Sequence, residues 1–152
     1  MRRPFRTHRD GVAVRLSESE RAFLLELPIL LSAVDAAPDD PAHARLHVAA
    51  YPDDAEAQLD MAEYSGSQLA EERASDRGLF TATLERAQPV LTPAEAEAWL
   101  TVIGDTRLAL AARLGITEPG WEIGEENDPE RIALGFLSFL QDQLVTVLME
   151  QL

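Results

Sequence analysis

The chain contains no cysteine and no lysine. The first absence removes disulfides, thiolate nucleophiles and cysteine-ligated metals. The second means that all 13 basic residues are arginine, which we read as a trace of genome composition rather than of mechanism. Long apolar runs are lacking too, since no stretch approaches the roughly 18 residues needed to span a bilayer. No long apolar stretch follows the opening MRRPFRTHRD, so a signal peptide is not expected and the cytoplasm is the expected location. Neither a GxSxG elbow nor a GxxxxGK[ST] phosphate cradle is present. Internal repeats and low-complexity tracts are absent as well.

What the sequence has in excess is acid. Asp and Glu number 27, for a formal charge of −14 over 152 residues, a length suited to one domain with its own core. The excess is uneven. Residues 1–21 carry six arginines against three acids, a net +3, while the remainder carries 7 basic and 24 acidic residues, a net −17. Such a body repels phosphate backbones, so direct nucleic-acid binding is disfavoured and would have to rest on the short basic tip.

Periodicity and caps predict a mainly α fold: residues 1–152 as one helical bundle, with a small hairpin over 5–16 and a helical core over 17–149. Asp10-Gly11 supplies the hairpin turn, and Val12, Val14 and Leu16 alternate with Ala13 and Arg15. Ser17-Glu18-Ser19-Glu20 is a capping box for a helix carrying Phe23, Leu24, Leu27, Leu30, Leu31 and Val34, which Pro28 should kink or divide near Leu27. A short helix is expected over 42–46. Asp53 or Asp54 caps the next, and the run Tyr64-Ser65-Gly66-Ser67 reads as a junction before a further helix from about Ser67 to Ala87 that Gly78 could interrupt. Thr92-Pro93-Ala94-Glu95 opens a long helix closed near Leu114 by Gly115. Asp128-Pro129 opens the last one, with an apolar face of Ile132, Phe136, Leu137, Leu140, Leu144, Val147 and Leu148.

Residues 99–117, WLTVIGDTRLALAARLGIT, pose the main choice about function. A helix-turn-helix would need a second helix with basic or amide side chains after Thr117, but Glu118-Pro119-Gly120 and further acids follow. A core helix fits better. At about 100° per residue, Trp99, Leu100, Ile103, Leu110, Ala111 and Leu114 share one arc, with Arg107 inside it and Asp105 nearly opposite. An arginine on a core-facing arc requires a partner, as a structural ion pair, the favoured role, as an anchor at a subunit or partner interface, or, last, in a catalytic or ligand role.

Metal and acid–base chemistry have thin support. Asp53, Asp54, Glu56, Asp60 and Glu63 crowd one segment, but without a calcium-loop pattern they read first as a solvated or docking face. His43 and His47, four apart near Asp39 and Asp40, lack a third firm zinc ligand. No catalytic residue, metal or cofactor is therefore assigned.

Two segments resemble the DUF2017 family of actinobacterial proteins. RLHVAAYPDDAEAQLDMAEYSGSQL is similar to its RLFPxAYxDDPExxxEFRxLTxxxL, matching Arg45, Leu46, Tyr51, Asp53 and Asp54. WLTVIGDTRLALAARLGI is similar to WLxALNDxRLxLGTRLGI, matching Trp99, Leu100, Asp105, Arg107, Leu108, Arg113, Leu114 and Gly115. The resemblance spans roughly residues 5–150. It implies a homodimer acting in transcriptional control of the oxidative-stress response by engaging an alternative sigma factor. This chain departs from the pattern with Gly104 for Asn, Ala111-Ala112 for Gly-Thr and His47 for an aromatic residue. Lacking cysteine, it cannot use a disulfide switch.

The resulting expectation is a non-enzymatic regulatory protein that works by protein–protein contact, with a sigma factor or other transcription protein as partner. Arg45, Tyr51, Asp53, Asp54, Trp99, Asp105, Arg107 and Arg113 are the candidate interaction or ion-pair residues, and the dimer interface would draw on the last helix or the Trp99 helix. The alternatives are a direct DNA-binding regulator using the arginine-rich N-terminus and, behind it, a small metal-dependent enzyme.

Overall fold

The computed structural model describes residues 3–47, 55–116 and 128–152, with side chains outside 55–69. Strands β1 (Phe5–His8) and β2 (Gly11–Val14) form the expected hairpin, with Phe5 opposite Val14 and His8 opposite Gly11. Gly11 has φ 145°, and a Cβ there would stand 1.9 Å from the Leu91 carbonyl oxygen. That close approach exists because a third strand, β3 (Val90–Leu91), pairs antiparallel with β2. The sheet order is β1-β2-β3. Two residues are too few to produce an alternating signal, so β3 could not be read from the sequence.

The local helix signals act where they stand. In α1 (Glu18–Leu25) the Glu20 amide donates to Ser17 Oγ at 3.2 Å, and the Ser17 amide donates to Glu20 Oε1 at 2.8 Å. Glu26 breaks the run, and α2 (Leu27–Asp35) begins with Pro28 in its first turn. Asp40 caps α3 (Pro41–Leu46). Thr92 and Glu95 form a second capping box on α5 (Pro93–Arg113), and Gly115 leaves its C-terminus at φ 69°. Asp128 caps α6 (Pro129–Glu150).

Helix α4 (Ala55–Leu84) is the main correction. It is one continuous helix of 30 residues, where a junction near Gly66 and an interruption at Gly78 were expected. A helical glycine costs only about 1 kcal/mol and keeps its backbone hydrogen bonds, so without proline the helix runs on. Its end is capped from a distance: the Arg21 guanidinium donates to the carbonyls of Leu84, Arg86 at 2.8 Å and Ala87 at 3.3 Å. A cation is favourable at that negative end, where the helix has no basic residue of its own in its last turn.

Helix α5 touches α2, α3, α4, α6 and the sheet. Surrounded in this way, it is buried over a broad arc from Ala98, Val102 and Ala109 through Thr106 and Trp99 to Ala96 and Ile103. The arc predicted from apolar residues alone was displaced: Leu100, Ala111 and Leu114 are only half-buried. Arg107 and Asp105 consequently lie at its two edges rather than inside it and opposite it. Helix α6 contributes Leu134, Leu137, Leu140, Leu144 and Val147 to the core, whereas Ile132 is 58% exposed. Contrary to the expectation that no stretch is long and apolar enough to cross a bilayer, α6 is so by length and composition, with mean hydropathy 1.6, although those five side chains lie in the protein core.

Trp99 is completely buried among the layers. Its ring meets Phe5 of β1 at 6.0 Å and Phe80 of α4 at 4.9 Å, both edge-to-face. Its indole N–H donates to Thr83 Oγ1 at 2.6 Å, and that hydroxyl donates to the carbonyls of Leu79 and Phe80, each at 2.9 Å. Trp99 is thus a core residue and not an interface anchor. Thr83→Val keeps the volume but leaves the indole N–H without an acceptor, so urea unfolding should show a loss of ~1–3 kcal/mol, largely restored in Thr83→Ser. Gly11→Ala places its Cβ against the Leu91 carbonyl in a strained backbone region and should lower stability by about 2 kcal/mol or more in the same assay.

Candidate functional site

The polar edges of α5 gather most of the side chains that can do more than pack. On one edge, half-buried Arg107 meets α6: its Nη1 donates to Gln141 Oε1. Its Nε is buried with no acceptor among the described residues. Among the described residues, Arg107 meets an amide oxygen rather than the carboxylate expected of a structural ion pair. The arginine stands in a cleft of about 460 Å³ between α5 and α6, walled by Leu100, Leu108, Ile116 and Leu134 among others.

At the other edge, half-buried Asp105 looks toward a charged cluster from α2, α3 and α4. Arg77 Nη1 donates to Asp35 Oδ2 at 2.7 Å, and His47 Nε2 lies 3.0 Å from Asp35 Oδ1. Arg73 donates to the Leu46 carbonyl at 2.6 Å and, through Nη1, to His47 Nδ1 at 3.2 Å. Arginine can only donate, so His47 Nδ1 accepts and its Nε2–H is left to donate to Asp35. Burial pushes the Asp35 carboxyl upward, but the hydrogen bonds from Arg77 and His47 outweigh it and hold the group below its ordinary value. Asp105 makes no such bond among the described residues. Burial raises its pKa, with Arg73 and Arg77 only partly opposing the rise.

Arg113 forms the ion pair that was one option for Arg107. Its Nη2 donates to Asp40 Oδ2 at 2.7 Å and its Nε to the same oxygen at 3.1 Å, joining the end of α5 to the cap of α3. That bond, with the Ala42 amide, holds Asp40 below the usual carboxylate range. Beside Arg113 opens a groove of about 580 Å³ between α2, α5 and α6, with Phe23, Leu30, Leu110 and Ala133 in its walls and Glu26 and Glu130 in its lining. Ile29 on this groove is 70% exposed.

Of the remaining predicted residues, Arg45 is exposed on α3, and Tyr51, Asp53 and Asp54 lie outside the described residues. His43 and His47 do stack, with ring centroids 4.3 Å apart, but His47 turns to Asp35 rather than to Asp39 or Asp40. Among the described residues no group of three or more His, Asp or Glu side chains is placed to hold a metal. Sequence reasoning missed Asp35, Arg73, Arg77 and Gln141. Arg73 and Arg77 do share a helix face at a spacing of four, a weak signal, but nothing local pairs them with residues 26 to 42 positions away.

The raised pKa of Asp105 sets the sign of a pH test. The folded state holds its proton more tightly than the unfolded chain, so the ionised group opposes folding above the folded pKa, and the penalty vanishes below the ordinary value of 3.8. Asp105→Asn should therefore raise the melting temperature at neutral pH, and the gain over the native chain should disappear as the pH falls below 3.8. Asp40 works in the opposite direction. Its stabilising contribution is present above 3.8 and is lost as the pH falls through its lowered folded value.

A family model described as a domain of unknown function, DUF2017, matches residues 2–148. No curated protein and no solved structure matches the chain. With nearly the whole length covered, and with the Trp99 and Arg107 helix at the centre of the fold, the chain belongs to the DUF2017 family.

Proposed function

We infer that the chain is a non-enzymatic regulatory protein that acts by contact with another protein. The observation that carries this reading is the apolar groove between α2, α5 and α6. Ile29, 70% exposed, lines it, and Ile132, 58% exposed, stands on the first turn of the adjoining helix. Single exposed apolar residues are ordinary, but apolar side chains collected around a groove with a charged lining are characteristic of interaction sites. Glu26 and Glu130 in the lining, on a chain of net charge −14, favour encounter with a partner segment that carries basic residues beside apolar ones. The resemblance set out above makes a sigma factor, or another protein of the transcription machinery, the first partner to test.

Affinity capture of the tagged protein from a lysate of its own organism, read by mass spectrometry, tests this. The native chain should recover a sigma factor or polymerase subunit, and Ile29→Glu should reduce the recovery at least ~10-fold. Such an exposed substitution should shift stability by no more than about 0.5 kcal/mol, so a melting curve separates lost binding from lost folding. Undiminished recovery by Ile29→Glu would remove the groove from the proposal. Recovery that vanished on nuclease treatment would favour DNA contact through Arg3, Arg6, Arg9 and Arg15, which are exposed on and around the hairpin.

A further inference from the structure

The groove between α2, α5 and α6 carries a second inference, on the form of its partner, which rests on the reading of that groove as a contact site. Helices α2 and α6 both pack on α5, and the groove is the space left between them, with Leu110 and the buried Thr106 of α5 in its lining. A further helix laid on α5 would complete the layer there. The apolar surface also continues beyond the groove. Phe23, in its wall, meets Phe136 of α6 edge-to-face at 5.7 Å. Exposed Ile132 and Phe139 share the face of α6 that bears Phe136, at positions i, i+4 and i+7.

Backbone chemistry narrows the occupant. The walls of the groove are helices, and away from its ends a helix spends its amides and carbonyls on its own ladder. An extended segment lying here would bury backbone donors and acceptors with no sheet edge to receive them, at a cost for each unpaired group. An α-helix brings its backbone already bonded and presents only side chains. A small molecule fits less well, since binding pockets enclose most of a ligand's surface and Ile29 in this lining is 70% exposed.

Charge selects among helices. Glu26 on the α2 side and Glu130 on the α6 side are exposed carboxylates on opposite walls, whereas Arg113 in the same lining is engaged by Asp40. A second copy meeting this face about a two-fold axis would set these carboxylates against their own counterparts. An anionic lipid surface would be repelled by them in the same way. We propose that the groove seats one amphipathic α-helix of a different protein. Its apolar face lies on α5 and the Phe23–Phe136 shelf, and arginine or lysine on both flanks meets Glu26 and Glu130.

Titration of the full ¹⁵N-labelled chain with three synthetic peptides of about 18 residues, long enough to form a helix, tests this by NMR. The first carries Leu at helical spacing with Arg on both flanks. The second is the same with two central residues replaced by proline, and the third has Glu in place of each Arg. The first should give saturable shifts in the amides of residues 23–33, 106–113 and 130–139, with a Kd below about 100 μM. The other two should bind at least ~10-fold more weakly. In the double variant Glu26→Arg, Glu130→Arg the preference should reverse in favour of the Glu peptide, which loss of folding could not produce. If that variant fails to fold, the comparison of peptides on the native chain decides. A proline peptide bound as tightly at the groove would overturn the helical partner while leaving the groove a contact site. A Glu peptide bound as tightly would overturn the basic flanks. If no peptide shifted these amides, the groove would fall as a contact site and the proposal with it. Shifts of the same amides on dilution without peptide would assign the face to a second copy and overturn the proposal as well.

Discussion

The hydrogen bond from the Trp99 indole to Thr83 Oγ1, inside a cage of Phe5 and Phe80, ties the sheet, α4 and α5 to one another. A tryptophan can be this deep only if its N–H is satisfied, and the acceptor that satisfies it is itself fixed by two carbonyls of α4. Rotation or sliding of α5 against α4 would break this arrangement. The positions of Asp105 and Arg107 at the two edges of the buried arc follow from how Trp99 sits. The polar features on both sides of α5 are thus consequences of one buried contact.

Charge is distributed so that the strongly acidic chain can close its helices around α5. Arginines are placed where negative ends or carboxylates meet across elements: Arg21 at the end of α4, Arg77 against Asp35, Arg86 against Glu95 at 2.9 Å, Arg113 against Asp40. These pairs are partly exposed and individually modest in energy. Their value is positional, because each joins segments that apolar packing alone would leave free to slide. Among the described residues, the unpaired buried nitrogens of Arg107 and Arg77 and the only partly offset burial of Asp105 depart from this pattern. Polar groups held at a cost to stability are where function is most usefully sought.

Much of the fold was legible in the sequence because the relevant physics is local. A capping box closes within four residues, so Ser17–Glu20 and Thr92–Glu95 were visible as written. Pro28 marked the division between α1 and α2, Gly115 the end of α5, and Asp10-Gly11 the hairpin. The errors were of two kinds. Glycine was given too much weight as a helix breaker at Gly66 and Gly78, and apolar periodicity misplaced the buried face of α5, because a helix packed on several sides has no single apolar stripe. The strand β3 escaped because its pairing partner lies almost eighty residues earlier in the chain.

The candidate site divides in the same way. By itself the sequence determined that Arg107 and Asp105 stand on one long helix opened by Thr92, that no thiol chemistry is available, and that the body is strongly acidic. Only the tertiary structure decided that Arg107 meets Gln141, 34 positions away, that Arg113 takes Asp40, 73 positions away, and that Asp105 faces the arginines of α4 without bonding them. Caps and turns are set by hydrogen bonds within a turn or two of chain. The partner of a long charged side chain is set by which helices pack together, and that depends on how the whole core closes around Trp99.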